Sequence, residues 1–163
     1  MAIKSDASYG EQRDDAAQAG LAAARAIGLL TYRGPEGYNL SQQDKGEVKP
    51  FDTHRACTYQ QYQGEKLVRR YNAYSYVAIL DAFDTHDIGR GRGGVDAVLA
   101  AISCPTVVVG ISTDIIFTPA EMRSLARRIP GARYHEISSP FGHDGFLVEH
   151  QQLNEILTPF INE

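Results

Sequence analysis

The order of apolar runs in the last third of the chain limits its fold more than any other feature. Thr106-Val107-Val108-Val109-Gly110-Ile111 is a short β-branched run bounded by Pro105 and by polar residues, the pattern of a strand buried on both faces. Pro119–Arg128 reads as a helix, with Thr118 placed to cap it and Pro119 where a missing N–H costs nothing. Arg133–Ser138 reads as a second strand, Pro140–Gly145 as a loop and Phe146–Ile161 as a closing helix. Strand, helix, strand and helix with short connections imply a right-handed parallel unit. The chain is therefore expected in the α/β class, with a β-α-β-α part over 101–163.

Residues 1–100 read differently, as a helical segment. Asp14–Tyr32 is Ala-rich, with Leu21, Ala24, Ile27 and Leu29 on one broad stripe, and is expected to be a helix stopped by Gly34, Pro35 and Gly37. Tyr38–Phe51 is polar and contains Gly46 and Pro50, which suggests a long surface connection. Ala56–Gln63 suits a short helix ending before Gly64, and Glu65–Phe83 a longer one, with Leu67, Tyr71, Tyr74, Val77, Leu80 and Phe83 at spacings of three and four. Gly89-Arg90-Gly91-Arg92-Gly93-Gly94 satisfies the G-x-G-x-x-G pattern in letters only. Dinucleotide binding needs a preceding strand to aim the turn at a pyrophosphate, and here a helix precedes it. A flexible loop leading into a short helix over Val95–Ile102 is the expected outcome.

With 163 residues, 43% apolar and 22% charged, the chain is long enough for an ordinary domain. A net charge of -4 gives no electrostatic reason to expect nucleic acid or an anionic membrane as partner. Cys57 and Cys104 stand alone and no long apolar run occurs, so two reduced thiols in a cytoplasmic protein are expected. Asp81, Asp84, His86 and Asp87 read as a polar helix end rather than a metal cluster, and His54 with Cys57 lacks a second ligand pair for zinc. His135 and His150 fall within a strand and a helix as structural or exposed residues.

In parallel α/β sheets, reactive groups collect in loops at the carboxyl ends of strands. Asp114 follows the first expected strand and His143 the second, and neighbouring strands are close enough for the two side chains to meet. Singly, an Asp there is a common turn former and a His a common surface residue. As a pair they can act together: the carboxylate fixes the imidazole tautomer and stabilises the imidazolium as His takes a proton from a hydroxyl. The order acid then histidine matches the Ser, Asp, His order of α/β-hydrolases.

Ile102–Phe160, with Val109-Gly110-Ile111, Asp114, Phe117, Ile129-Pro130-Gly131-Ala132 and Gly142-His143-Asp144-Gly145-Phe146-Leu147, resembles the C-terminal end of homoserine O-acetyltransferases. Upstream, Tyr62-Gln63-Gly64, Arg69-Arg70-Tyr71 and Ser75-Tyr76 are similar to that family's lid. Gly20-Leu21, Ala24-Arg25 and Leu30-Thr31-Tyr32-Arg33 match its earlier lid helix. The resemblance implies a partial α/β-hydrolase fold, a lid-like segment followed by the last two strands. By resemblance Asp114 and His143 are the acid and base of a triad, Arg25 binds the acceptor's carboxylate, Tyr32 lines the same pocket and Asp144 faces the acceptor's amino group. No bound cofactor is implied; acyl-CoA (acetyl-CoA) enters as co-substrate, with the donor left open between acetyl and succinyl, and the activity belongs to methionine and amino-acid biosynthesis in the cytoplasm.

Two departures stand out. The lid motif Arg-Phe-Asp-Ala-Asn-Ser-Tyr has Asn72 and Tyr74 here in place of its Asp and Asn, which leaves the acceptor open between homoserine and serine. The nucleophile elbow G-x-S-x-G is absent, and its nearest imitation, Gly110-Ile111-Ser112-Thr113-Asp114, lies in the acid's own loop. A fragment, one half of a split enzyme and a separate protein re-using a half-fold all fit. Two functions follow from these: acyl transfer to a hydroxy amino acid together with a complementary N-terminal half, or an inactive interaction module pairing, as a homodimer for instance, through its lid helices.

Overall fold

The computed structural model describes residues 1–162. The chain packs as two compact units, one of residues 1–30 and 39–86, the other of residues 31–38 and 87–163. No helix among the described residues is long and apolar enough to cross a membrane.

The first unit is helical. Helix α1 (Gln18–Tyr32) contributes all but its last two residues, α2 (Pro35–Gln42) its C-terminal half, and α3 (Arg55–Val68) and α4 (Ala73–Asp84) all of theirs. Ile3, Ala17, Leu21, Leu67, Ala73 and Val77 form its core, with Tyr9, Ala24, Val68 and Tyr76 packed around them. Asp6 anchors the start of α1: its carboxylate accepts from the backbone N–H of Ser8 at 3.0 Å and of Gly20 at 2.7 Å, and these hydrogen bonds hold its pKa below the ordinary 3.8. Asp44 does the same for α3, accepting from Arg55 N–H at 2.7 Å while its second oxygen meets His54 Nδ1 at 2.7 Å.

Several expected boundaries shift in this unit. Helix α1 begins at Gln18, not Asp14, because Ala17 takes a left-handed φ of 56°. Residues 38–42, expected in a surface connection, are helical, since Pro35, which helps stop α1, is also well placed to start α2. The expected break at Gly64 is not there. Helix α3 runs through it, and a Cβ at Gly64 would sit 3.0 Å from the Ala22 methyl, so the glycine serves the contact between α1 and α3. The break falls at 69–72, where Asn72 accepts from Ser75 N–H at 2.7 Å and starts α4 afresh.

The second unit is α/β. After α5 (Val95–Ala100), strands β1 (Val107–Ile111) and β2 (Arg133–Ile137) pair in parallel with Ile111 opposite Ile137. They are joined by α6 (Pro119–Arg128), and α7 (His150–Ile161) follows β2. Thr118 and Glu121 form a reciprocal capping box at the start of α6. Leu99, Val108, Ile111, Ala126, Ile129 and Ile137 are the buried apolar residues here. Val107 and Val109 are only half-buried, so β1 is covered less evenly than its β-branched run suggests. Helix α5 stops two residues short of the expected Ile102, and α7 starts four after the expected Phe146, because Gly142–Leu147 forms a 3₁₀ turn first. Gly89–Gly94 closes on itself by a hydrogen bond from Gly94 N–H to the Gly89 carbonyl at 3.2 Å.

The contacts do not divide at the expected 100/101 break. Residues 87–100 group with the strands, with Asp96 on α5 ion-paired to Arg128 on α6 at 2.7 Å. Residues 31–38 join them because Gly37 N–H donates to the Pro140 carbonyl at 3.0 Å. A Cβ on Gly37 would lie 2.7 Å from that oxygen.

Candidate active site

The loops that follow β1 and β2 are tied directly to each other. Thr113 donates its hydroxyl to the Ser139 carbonyl at 2.6 Å and accepts from Gly142 N–H at 3.0 Å. Ser139 N–H donates to the Ser112 hydroxyl at 3.2 Å, and the buried Ser139 hydroxyl accepts from Phe141 N–H at 3.2 Å. A polar loop packed this closely must find partners for its backbone groups, and these hydroxyls supply them. Gly142 adopts a φ of 63° and leaves no room for a Cβ against the 32–34 backbone.

This arrangement brings Asp114 and His143 together. His143 Nδ1 lies 2.8 Å from Asp114 Oδ2, so an N–H there donates to the carboxylate and Nε2 is left for a reacting hydroxyl. Asp114 Oδ1 accepts from Ile116 N–H at 2.8 Å and Phe117 N–H at 3.0 Å. The carboxylate is thus fixed from both sides while its side chain is only 4% exposed, against 25% for His143. Three aromatic rings surround the imidazole: Phe117 at 5.3 Å and Phe146 at 5.5 Å, both edge-on, and Tyr32 at 6.1 Å. Beside the pair lies an apolar cavity of about 180 Å³ lined by Val109, Ile111, Phe117, Met122, Phe146 and Leu153, among others.

The remaining expected site residues fall as follows. Tyr32 stands against the His143 ring. Asp144, expected to face an incoming ammonium, is ion-paired with Arg33, Nε to Oδ2 at 2.6 Å, and both side chains are about three-quarters buried. Arg25 belongs to the first unit, where it lines a separate cavity with Gln63, Lys66, Leu67, Arg70, Tyr71 and Tyr76. Sequence reasoning passed over the part played by Arg33, whose only signal was its place beside Tyr32, and that of Thr113 and Ser139, ordinary polar residues until the loops are seen to meet.

No family model matches this chain. It is 44% identical over all of its 163 residues to a homoserine O-acetyltransferase of Cyclobacterium marinum, of which it covers 46%, and 43% identical over 99% of its length to that of Thermus thermophilus, of which it covers 40%. The chain thus spans less than half the length of these curated relatives. Among solved structures it superposes on the Bacillus anthracis homoserine O-acetyltransferase with a TM-score of 0.82 at 16% identity, covering 99% of this chain and 46% of that one. The crystal structure of esterase E22 gives 0.81 at 16% identity, covering 97% and 47%. These matches establish a partial α/β-hydrolase fold, helical in most of its length with a small parallel sheet.

Proposed function

We propose, from the premise that this chain is homologous along its whole length to homoserine O-acetyltransferases, that it supplies the acid and base of an acyl transfer to the hydroxyl of homoserine. The observation that carries this reading is the 2.8 Å hydrogen bond between His143 and a buried Asp114 in adjoining strand-end loops. The nucleophile comes from residues outside these 163, which contain no G-x-S-x-G. Ser112 is a poor substitute, because its hydroxyl is engaged with the Ser139 backbone.

In this reading His143 takes the proton of a serine hydroxyl, the serine oxygen bonds to the acetyl carbon of acetyl-CoA, and the thiolate leaves with that proton. His143 then takes the proton of the acceptor's hydroxyl as it attacks the acyl-serine, and returns it to the departing serine oxygen. Asp114 holds the ring and offsets its positive charge in both steps. Asp144 is available to the acceptor's ammonium once its pairing with Arg33 is shared or exchanged. Arg25 is assigned to the acceptor's carboxylate by family resemblance. The activity would sit in cytoplasmic methionine biosynthesis, and the partners are the two small substrates and a complementary, nucleophile-bearing half.

The test is reconstitution. The purified chain alone is expected to form no O-acetylhomoserine from acetyl-CoA and homoserine, because a base without its nucleophile leaves only residual catalysis. Co-expression with the elbow-bearing half of a relative is expected to give thiol release that depends on homoserine and is lost in His143→Ala. Release by the lone chain that needs both homoserine and His143 overturns the reading. A stable pairing with no turnover favours an interaction module.

A further inference from the structure

The loop that carries His143 meets the end of α1 residue against residue. Tyr32 stands against the His143 ring, and the next residue on each side, Arg33 and Asp144, forms the ion pair at 2.6 Å. The backbones are fitted there through glycine: a Cβ on Gly34 would lie 2.9 Å from Gly142 N, and one on Gly142 would lie 2.9 Å from the Arg33 carbonyl carbon. The main chain under both side chains thus has little room to shift, and the pair is not a chance meeting of two long side chains. All of these residues lie in the second unit.

The pair also differs from the chain's surface pairs. Arg69–Glu65 and Arg128–Asp96 each keep at least one side chain more than half exposed, where water screens the charge. Arg33 and Asp144 are only 24% and 23% exposed, so each has lost much of its hydration and relies on the other for compensation. This has a consequence for any third charge. A lone carboxylate attracts an ammonium strongly, whereas a carboxylate already paired with a guanidinium attracts it less, and the guanidinium repels it. A cationic ligand of Asp144 must therefore share one carboxylate with a cation built into the fold, and its apparent affinity falls accordingly.

We infer that Arg33 is a specificity-determining residue, a built-in competitor for the Asp144 carboxylate that weakens the hold on an amine beside His143. Identity of that amine as the acceptor's ammonium rests on the proposed reaction, whereas the competition is a property of these two side chains alone. A weakened hold suits group transfer, because binding that is equally strong in the ground state and the transition state adds nothing to turnover. The internal cation also keeps the Asp144 charge compensated whenever the amine has left.

The experiment titrates the intact chain with 3-aminopropan-1-ol, which is homoserine without its carboxylate and offers His143 and Asp144 only a hydroxyl and an ammonium. Binding is followed by the NMR signals of the His143 ring and of the Arg33 Nε–H, which are expected to move with one midpoint. Arg33→Gln is expected to bind this amine about fivefold more tightly, and Arg33→Lys, which keeps the charge, within about twofold of the unaltered chain. Propane-1,3-diol, with a hydroxyl in place of the ammonium, is expected to bind all three chains alike. Equal or weaker binding of the amine by Arg33→Gln overturns the competition, as does an equal tightening for the diol or no saturable binding at all. If Arg33→Gln does not fold, the unaltered chain decides: an Arg33 signal that stays still while His143 responds overturns it. In the complex with a relative's elbow-bearing half, Arg33→Gln is expected to lower KM for homoserine but not for 4-hydroxybutyrate, which lacks the amine. A merely structural role would not give that split, and a KM that falls equally for both overturns the assignment. Failed reconstitution alongside tighter amine binding leaves the competition standing while the proposed reaction falls.

Discussion

Asp114 in the second unit and the Lys66 and Arg70 pair in the first are held by opposite means. In the second, Asp114 is nearly buried and its carboxylate makes its hydrogen bonds inside the unit, to His143, Ile116 and Phe117. In the first, Lys66 and Arg70 stand exposed at a cavity wall without a carboxylate partner among the described residues. A charge removed from water must be compensated by the fold itself, whereas one left at a wall is free to be compensated by a ligand. The contrast separates a carboxylate satisfied inside the fold from cations left open to solvent at a cavity wall.

The largest expected effect breaks the comparison on the catalytic side. Asp114→Asn keeps the shape but loses the acceptor that selects the His143 tautomer, and in the reconstituted enzyme the turnover number is expected to fall about 10⁴-fold, read as thiol release. Arg69→Gln in the first unit is expected to leave it unchanged. A loss of less than tenfold in Asp114→Asn would mean that the pair is structural.

Core truncations come next. Leu21 and Ile137 are the largest fully buried side chains, one in each unit. Leu21→Ala and Ile137→Ala are each expected to cost about 2–5 kcal/mol, measured by urea denaturation with hydrogen exchange followed at α1 and at β2. A cost under about 1 kcal/mol at either position would show that its unit's core can collapse around the gap.

The caps give a smaller, matched pair. Asn72→Ala and Thr118→Ala are each expected to destabilise by about 1 kcal/mol, seen as faster exchange in the first turn of α4 and of α6. If Asn72→Ala instead fused α3 and α4 into one helix, visible as new exchange protection at 69–72, the Asn72 cap alone would account for the break between them.

The mildest test uses pH. The carboxyls of Asp6 and Asp44 are held below 3.8 by hydrogen bonds from backbone N–H groups, and that of Glu121 below 4.5 by its bonds from Thr118. A depressed carboxylate stabilises the fold above its ordinary pKa, and that contribution is lost as pH falls through the folded value. Stability in the second unit is therefore expected to begin falling near pH 4.5 and in the first near 3.8, with Glu121→Gln and Asp6→Asn flattening the respective slopes.

These pairs also explain what could be read from the sequence. Helix α6 was legible because Thr118 and Pro119 specify its start with local chemistry. The Asp114 and His143 pairing was legible because parallel strands bring such loops together. The α3–α4 break was not, since Asn72 acts through one side-chain hydrogen bond inside an unbroken apolar periodicity, and the glycine that looked like a breaker, Gly64, serves a helix contact instead. The Arg33–Asp144 ion pair was hidden for another reason: it joins residues 111 positions apart that share no pattern.

Cys57 and Cys104 are both free and exposed, and one falls in each unit. Their surroundings differ, because Cys57 lies in the first turns of α3 whereas Cys104 lies at a bend in the loop before β1, with its sulfur 4.0 Å from the Thr106 hydroxyl. A maleimide dye therefore finds one attachment point per unit in the sequence, and versions with either cysteine replaced by serine carry a fluorescent reporter on one chosen unit with no new cysteine added.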